Sequence, residues 1–152
     1  MKVIKAEHLD VLHVVENMSA PSREEVSALT RAEDDVLAAA IVKNFGPLCL
    51  VGWRDNPVVV FGATESERGG VWETFMFATD ELDRVILPLT KFIKRDLIPY
   101  VREQGAHRVE TKALSSHLPA LRWLRSLGAV IEGNHPGYGR NREAFTTLAW
   151  VF

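Results

Sequence analysis

The sequence predicts an α/β domain of the α+β kind, in which helices pack on both faces of a mixed, mostly antiparallel sheet. Three observations predict it. Short β-branched runs joined by turn-forming clusters fill residues 48–77 and call for antiparallel pairing. A long stretch of helical periodicity follows, Leu82 to Val101, and after it the strand-like run His107 to Lys112. Strand, helix and strand in that order make a parallel pair with a right-handed crossover, so the sheet must be mixed.

The chain has 152 residues, 47% of them hydrophobic and 25% charged, which suits one domain over residues 1–152 with a substantial core. Lys and Arg number 18 against 20 Asp and Glu, a formal charge of −2, so no global field gathers nucleic acid or an anionic membrane surface. An anion site, if present, is local. The only cysteine, Cys49, lies in the apolar run Leu48 to Val51 and has no partner for an internal disulfide. Met1 to Lys5 lacks a signal-peptide core, and no segment approaches the length of a membrane span. A reducing, cytoplasmic setting is expected, not secretion.

The elements follow in order. Met1 to Ala6 reads as a short strand, and Glu7 to Asn17 carries Leu9, Val11, Leu12, Val14 and Val15 in helical rhythm. Ala20-Pro21 breaks the chain. Ser22 stands three residues before Glu25, which reads as a capping box opening a second helix. Arg31 to Asn44 is rich in helix formers and stops at Phe45-Gly46-Pro47. Leu48 to Trp53 and Pro57 to Ala63 are then two strands of a hairpin turned at Arg54-Asp55-Asn56. Val71 to Phe77 alternates as a third strand, with Trp72, Thr74 and Met76 on one face.

In the long helical segment Thr79 is the expected N-cap, and Pro88 and Pro99 predict a kink or an early break because each removes a backbone donor. Leu118 to Leu127 reads as a helix closed by Gly128, and Ala129 to Glu132 as a strand. A Gly-rich loop, Asn134 to Arg142, leads to a final strand, Ala144 to Phe152. The pattern contains no internal repeat or linker.

This order, with a helix ending in Trp123-Leu124-Arg125-Ser126-Leu127-Gly128-Ala129, resembles the GNAT acyltransferase superfamily over almost the whole chain. Phe75 to Asp80 and His117 to Ala129 are similar to the small GNAT-like internal virion proteins of T7-like bacteriophages. The resemblance implies a coenzyme A site at the turn between the third strand of the meander and the long helix. There the family carries Arg or Gln, two spacers, Gly, a spacer, then Gly or Ala, whose amides hold the pyrophosphate at a helix N-terminus. The corresponding residues here are Ala78 to Arg84, with no glycine and with Asp80, Glu81 and Asp83 in its place. A like-charge contact at ~4 Å costs roughly 1 kcal/mol in water and more when shielded from it.

By position, Phe77, Ala78, Thr79 and Asp80 are the implied acetyl-CoA-binding residues. His117 stands where many members carry an asparagine facing the pantetheine arm. A capping role beside Ser115 and Ser116 is the plainer account of that histidine. The family's thiolate-protonating tyrosine corresponds to Leu124, and neither Tyr100 nor Tyr138 matches it. Glu73 is the one candidate catalytic base, against the plainer reading of a solvated or ion-paired strand residue.

Outside the resemblance, the loop bearing Tyr138, Arg140 and Arg142 combines an aromatic ring with two guanidinium groups and is the candidate partner or substrate surface, or else a solvated connection. The five histidines are dispersed without metal-ligand spacing, so no metal is expected. Trp53, Trp72, Trp123 and Trp150 sit in apolar runs and read as core rather than as a stacking platform for bases. The leading expectation is a phage GNAT-fold protein without ordinary acetyltransferase activity. It would act through phage or host protein contacts, in the host cytoplasm or the virion, with neither membrane nor nucleic acid as partner. The alternative is an acetyl-CoA-dependent N-acetyltransferase that uses Glu73 and the amides of Ala78 to Asp80.

Overall fold

The computed structural model describes residues 1–152. Seven strands form one sheet in the order β1-β2-β3-β4-β5-β7-β6. The strands are β1 (Lys2–Lys5), β2 (Cys49–Trp53), β3 (Pro57–Glu65), β4 (Val71–Ala78), β5 (Arg108–Leu114), β6 (Val130–His135) and β7 (Phe145–Val151). Every neighbouring pair is antiparallel except β4 and β5. The mixed sheet expected from the crossover is therefore present, with the parallel pair at its centre.

Helices α1 (His8–Glu16), α2 (Ala20–Leu29) and α3 (Asp34–Phe45) precede the β2–β3 hairpin. Val11, Val14 and Val15 of α1 and Ala38 of α3 pack with Val51, Val60 and Phe77 beneath one face of the sheet. On the other face lie α4 (Ile86–Phe92), α5 (Ile98–Glu103) and α6 (Leu118–Ser126). There Val85, Leu89 and Ile93 pack with Val59, Phe61 and Ala78, while Val101 packs with Trp72 and Val109. All four tryptophans join these apolar clusters, and Trp123 Nε1–H donates to Thr90 Oγ1 at 2.9 Å, fixing α6 on α4. Cys49 is fully buried, and burial pushes its thiol up to about 11. No helix is long and apolar enough to cross a membrane.

Four local expectations need correction. The second helix opens at Ala20, with Ser19 Oγ accepting from Ser22 N–H, so Ser22 lies inside it and makes no capping box. The reciprocal cap belongs instead to α1, where the Glu7 N–H donates to Asp10. Thr79 closes only a 3-10 turn at Leu82–Arg84, and α4 begins seven positions later, at Ile86. Pro88 sits in the first turn of α4, where its missing N–H has no helical acceptor to satisfy. Pro99 does not end the segment, which runs on to Glu103; it lies at the start of α5, just past a π turn, Ile93–Leu97. Finally, β6 extends to His135, so the loop before β7 is shorter than its glycines suggest.

Candidate functional site

The central feature of the sheet is a parting of its parallel strands. Pairing between β4 and β5 covers Val71–Arg108, Trp72–Val109 and Glu73–Glu110, and ends there. Both strands nonetheless continue, β4 to Ala78 against β3 and β5 to Leu114 against β7. The Thr79 N–H reaches Val58 on β3 and the Ser115 N–H reaches Ala144 beside β7. Strand alternation therefore turns the backbones of Ala78 and Leu114, one residue earlier, toward the gap.

Helix α2 lies across the mouth of this gap. The Ala78 N–H donates to Ser22 Oγ at 3.1 Å, and the Ser19 N–H donates to the Ala78 carbonyl at 2.9 Å. On the other bank the Leu114 N–H donates to Glu25 Oε2 at 2.9 Å. Ser22 and Glu25 are three residues apart, one helical face, so a single helix bridges both strands. Arg23 anchors the start of α2 by donating to the Val15 carbonyl of α1 and to Asp34 of α3. Arg140 anchors its end, its backbone N–H donating to Ala28 and its Nε–H to Ser27. A guanidinium on the last carbonyls of a helix complements the helix dipole.

Glu25 is mostly buried, and its other neighbour is His117, whose Nδ1 lies 3.8 Å away. Burial raises the Glu25 carboxyl, opposed by the Leu114 N–H and by His117. His117 begins α6 without capping it through its side chain, so its ring is directed to Glu25 rather than to the helix terminus. Glu25 and Ser22 are the residues that sequence reading missed as site residues, although it had noted their spacing.

The residues singled out from sequence fall in separate places. Glu73 lies at the paired end of β4–β5, over half exposed, with Arg68 Nη2 at 4.0 Å from its carboxylate. Arg68 also holds Glu110 at 3.1 Å, and Arg108 links Glu110 to Glu132 across the strands. The Arg108 guanidinium keeps the carboxyls of both glutamates below the usual range. Phe77 is buried against Phe75 on the α1–α3 side. Ala78 and His117 meet the same helix through Ser22 and Glu25, as does Arg140. Tyr138 stacks on Phe145 with centroids 5.3 Å apart and leaves nearly half its surface exposed, whereas Arg142 is exposed with φ 68°.

The turn after β4 is where the resemblance places a pyrophosphate, and most of its amides are already committed. The amides of Ala78, Thr79, Glu81 and Leu82 donate to Ser22, Val58 and Thr79, and that of Arg84 to Glu81, which leaves those of Asp80 and Asp83, both on acidic residues, without an internal acceptor. The turn carries three carboxylates, Asp80, Glu81 and Asp83, and its one cation, Arg84, is paired to Glu81. The nearest α-helical N-terminus is at Ile86, and its Val85 cap is buried. This turn, as folded, does not fit a doubly charged phosphate linker. A groove of about 800 Å³ lies elsewhere, between α6 and β6, and a smaller one of about 390 Å³ lies between Met1 and α4.

No protein-family model and no curated protein matches the chain. Solved structures do match it along its full length. Ard1 from Thermoplasma volcanium aligns with TM-score 0.76 at 15% identity, covering 99% of this chain and 96% of its own. A GNAT superfamily phosphinothricin acetyltransferase from Sinorhizobium meliloti, crystallised with acetyl-CoA, aligns with TM-score 0.74 at 15% identity over 99% and 88%. The ribosomal-protein-S18-alanine N-acetyltransferase from Escherichia coli aligns with TM-score 0.72 at 13% identity over 99% and 92%. Superposition of 99% of the chain on these structures at TM-scores of 0.72 to 0.76 leaves one conclusion: this chain has the fold of the GNAT acetyltransferases.

Proposed function

We propose that this chain is a bacteriophage GNAT-fold protein that works through protein contacts and lacks ordinary acetyl-CoA chemistry. The observation that carries the reading is the commitment of the crossover mouth. Four amides between Ala78 and Leu82 have internal acceptors, and α2 bridges the strands through Ser22 and Glu25. A pyrophosphate would have to displace those bonds and then meet three carboxylates, with no glycine to let it approach. The phage setting, in the virion or the infected cell, rests on the resemblance of Phe75 to Asp80 and His117 to Ala129 to internal virion proteins.

A second reading is an acetyl-CoA-dependent N-acetyltransferase with Glu73 as base. The parting of β4 and β5 favours it, as does the acetyl-CoA held by a solved structure of the same fold. Much of such catalysis comes from positioning, so loss of the tyrosine does not exclude it. Calorimetric titration with acetyl-CoA separates the readings. No saturable heat is expected, and saturable micromolar binding overturns the proposal. In that event Glu73→Gln should lower turnover and leave affinity nearly unchanged.

A further inference from the structure

The groove between α6 and β6 is lined by Arg122, Arg125, Ser126, Ala129, Val130 and Ile131 and lies at the far edge of the sheet from β1. Three of its properties converge. The first is charge. Arg122 and Arg125 are exposed, one turn apart on α6, and neither guanidinium has a hydrogen-bond or ion-pair partner. By contrast Arg23, Arg68, Arg84, Arg95 and Arg108 each hold a carboxylate. From His117 to Ile131 the chain has no acid, and the next one, Glu132, is already taken by Arg108. A protein of net charge −2 thus has an unneutralised positive strip along this groove.

The second property is exposed apolar surface. Ile131 is 45% exposed on the α6 side of the sheet, opposite Leu148, and Val130 beside it is 65% exposed. The third is a free strand edge. The Phe152 N–H bonds to His107, so Phe152 faces β5, and alternation turns Ala149 and its partner Val130 toward each other. Ile131 therefore presents its N–H and C=O outward, at the open edge of the sheet. The bulge between Ile131 and Gly133 ends the regular edge and limits pairing there to a few residues.

We infer that this groove docks a short, extended, acidic segment of a partner protein. Carboxylates of the segment meet Arg122 and Arg125, an apolar side chain lies against Ile131, and its main chain pairs with the Ile131 edge. Two arginines beside an apolar floor and a strand edge suit a peptide better than a nucleic-acid backbone, whose binding rests on many phosphate contacts. The inference names the surface for the contact-based function proposed above and rests on that reading.

The probe is a fluorescein-labelled hexapeptide alternating glutamate and leucine, added to the full-length protein. Saturable binding that weakens with salt is expected, with amide shifts confined to Ser126 through Asn134. The double variant Arg122→Glu, Arg125→Glu should weaken binding about tenfold or more while its thermal unfolding stays unchanged. A peptide with lysine in place of glutamate should not bind. Absence of binding at millimolar peptide, equal binding to the charge-reversed protein, shifts at another surface, or displacement by a mixed-sequence single-stranded oligonucleotide each overturns the inference. The acetyl-CoA titration is independent of all these outcomes, so a failed groove and a failed non-catalytic reading are told apart.

Discussion

The two ends of the β4–β5 pair are held by different means. At Val71–Glu73 the strands are joined by a backbone ladder, topped by the alternating charges of Arg68, Glu110, Arg108 and Glu132. At Ala78 and Leu114 the same strands stand apart and are joined through α2, by the Ser22 side chain and the Ser19 N–H on one bank and by the Glu25 side chain on the other. A ladder is tolerant of sequence because every residue carries its donor and acceptor. A bridge that depends on particular side chains, with Glu25 alone on the Leu114 bank, is not, so side-chain sensitivity should concentrate at the open end.

The most severe test of this contrast is Glu25→Ala. It leaves the buried Leu114 N–H without an acceptor, and urea unfolding should show a loss of about 1–3 kcal/mol. Glu25→Gln keeps an acceptor and removes a buried charge, so it should be close to neutral. The pH dependence sharpens the point. Because burial raises the Glu25 carboxyl, the folded protein holds that proton more tightly than the unfolded chain. Stability from this group therefore grows as pH falls through the raised value toward the ordinary carboxylate range, and Glu25→Gln should lose that slope.

At the paired end, Gly70→Ala comes next in size. Gly70 has φ 69°, and an added Cβ would lie 2.4 Å from His107 Nδ1, so a loss of roughly 1–2 kcal/mol is expected in the same unfolding assay. Ser22→Ala should cost about 1 kcal/mol. Hydrogen exchange in that variant should quicken at Ala78 while Val109 is unaffected. Arg108→Gln should have the smallest effect, one that disappears at high salt. Its pH signature has the opposite sign to that of Glu25. The lowered Glu110 carboxyl contributes stability above the ordinary carboxylate range and loses it as pH falls through the lowered value. Equal slopes in Glu25→Gln and Arg108→Gln would break the comparison.

Much of the fold could be read from local patterns. Arg54-Asp55-Asn56 places the hairpin turn, Gly128 at φ 98° ends α6, and the long stripe from Leu82 demands the crossover. The candidate site could not be read this way, and Ser22 and Glu25 show why. Their spacing is the spacing of a capping box, a local motif, yet both side chains bond to strands far along the chain. The i, i+3 interval reports that two side chains share a helix face, and says nothing of what that face meets. Arg140 was legible as a loop cation but not as an anchor on α2, for the same reason. Thr79 was misplaced as a helix cap because the acidic turn after it is wound as 3-10, which the residue pattern does not distinguish from the first turn of a longer helix.

The π turn at Ile93–Leu97 has a consequence for how the crossover is wound. Leu89 and Val101 both face the sheet, against different strands, although they are twelve positions apart. At about 100° per residue that interval leaves them roughly 120° out of phase on a regular α-helix. The π turn accommodates one extra residue, which cuts the mismatch to about 20°. Removing a single residue from Ile93–Leu97 would leave an interval of eleven, which a regular α-helix carries with the same mismatch of about 20°, so the deletion should erase the π turn while Val101 stays against Trp72 and Val109. The irregularity is what lets a twelve-residue interval serve two parts of the core.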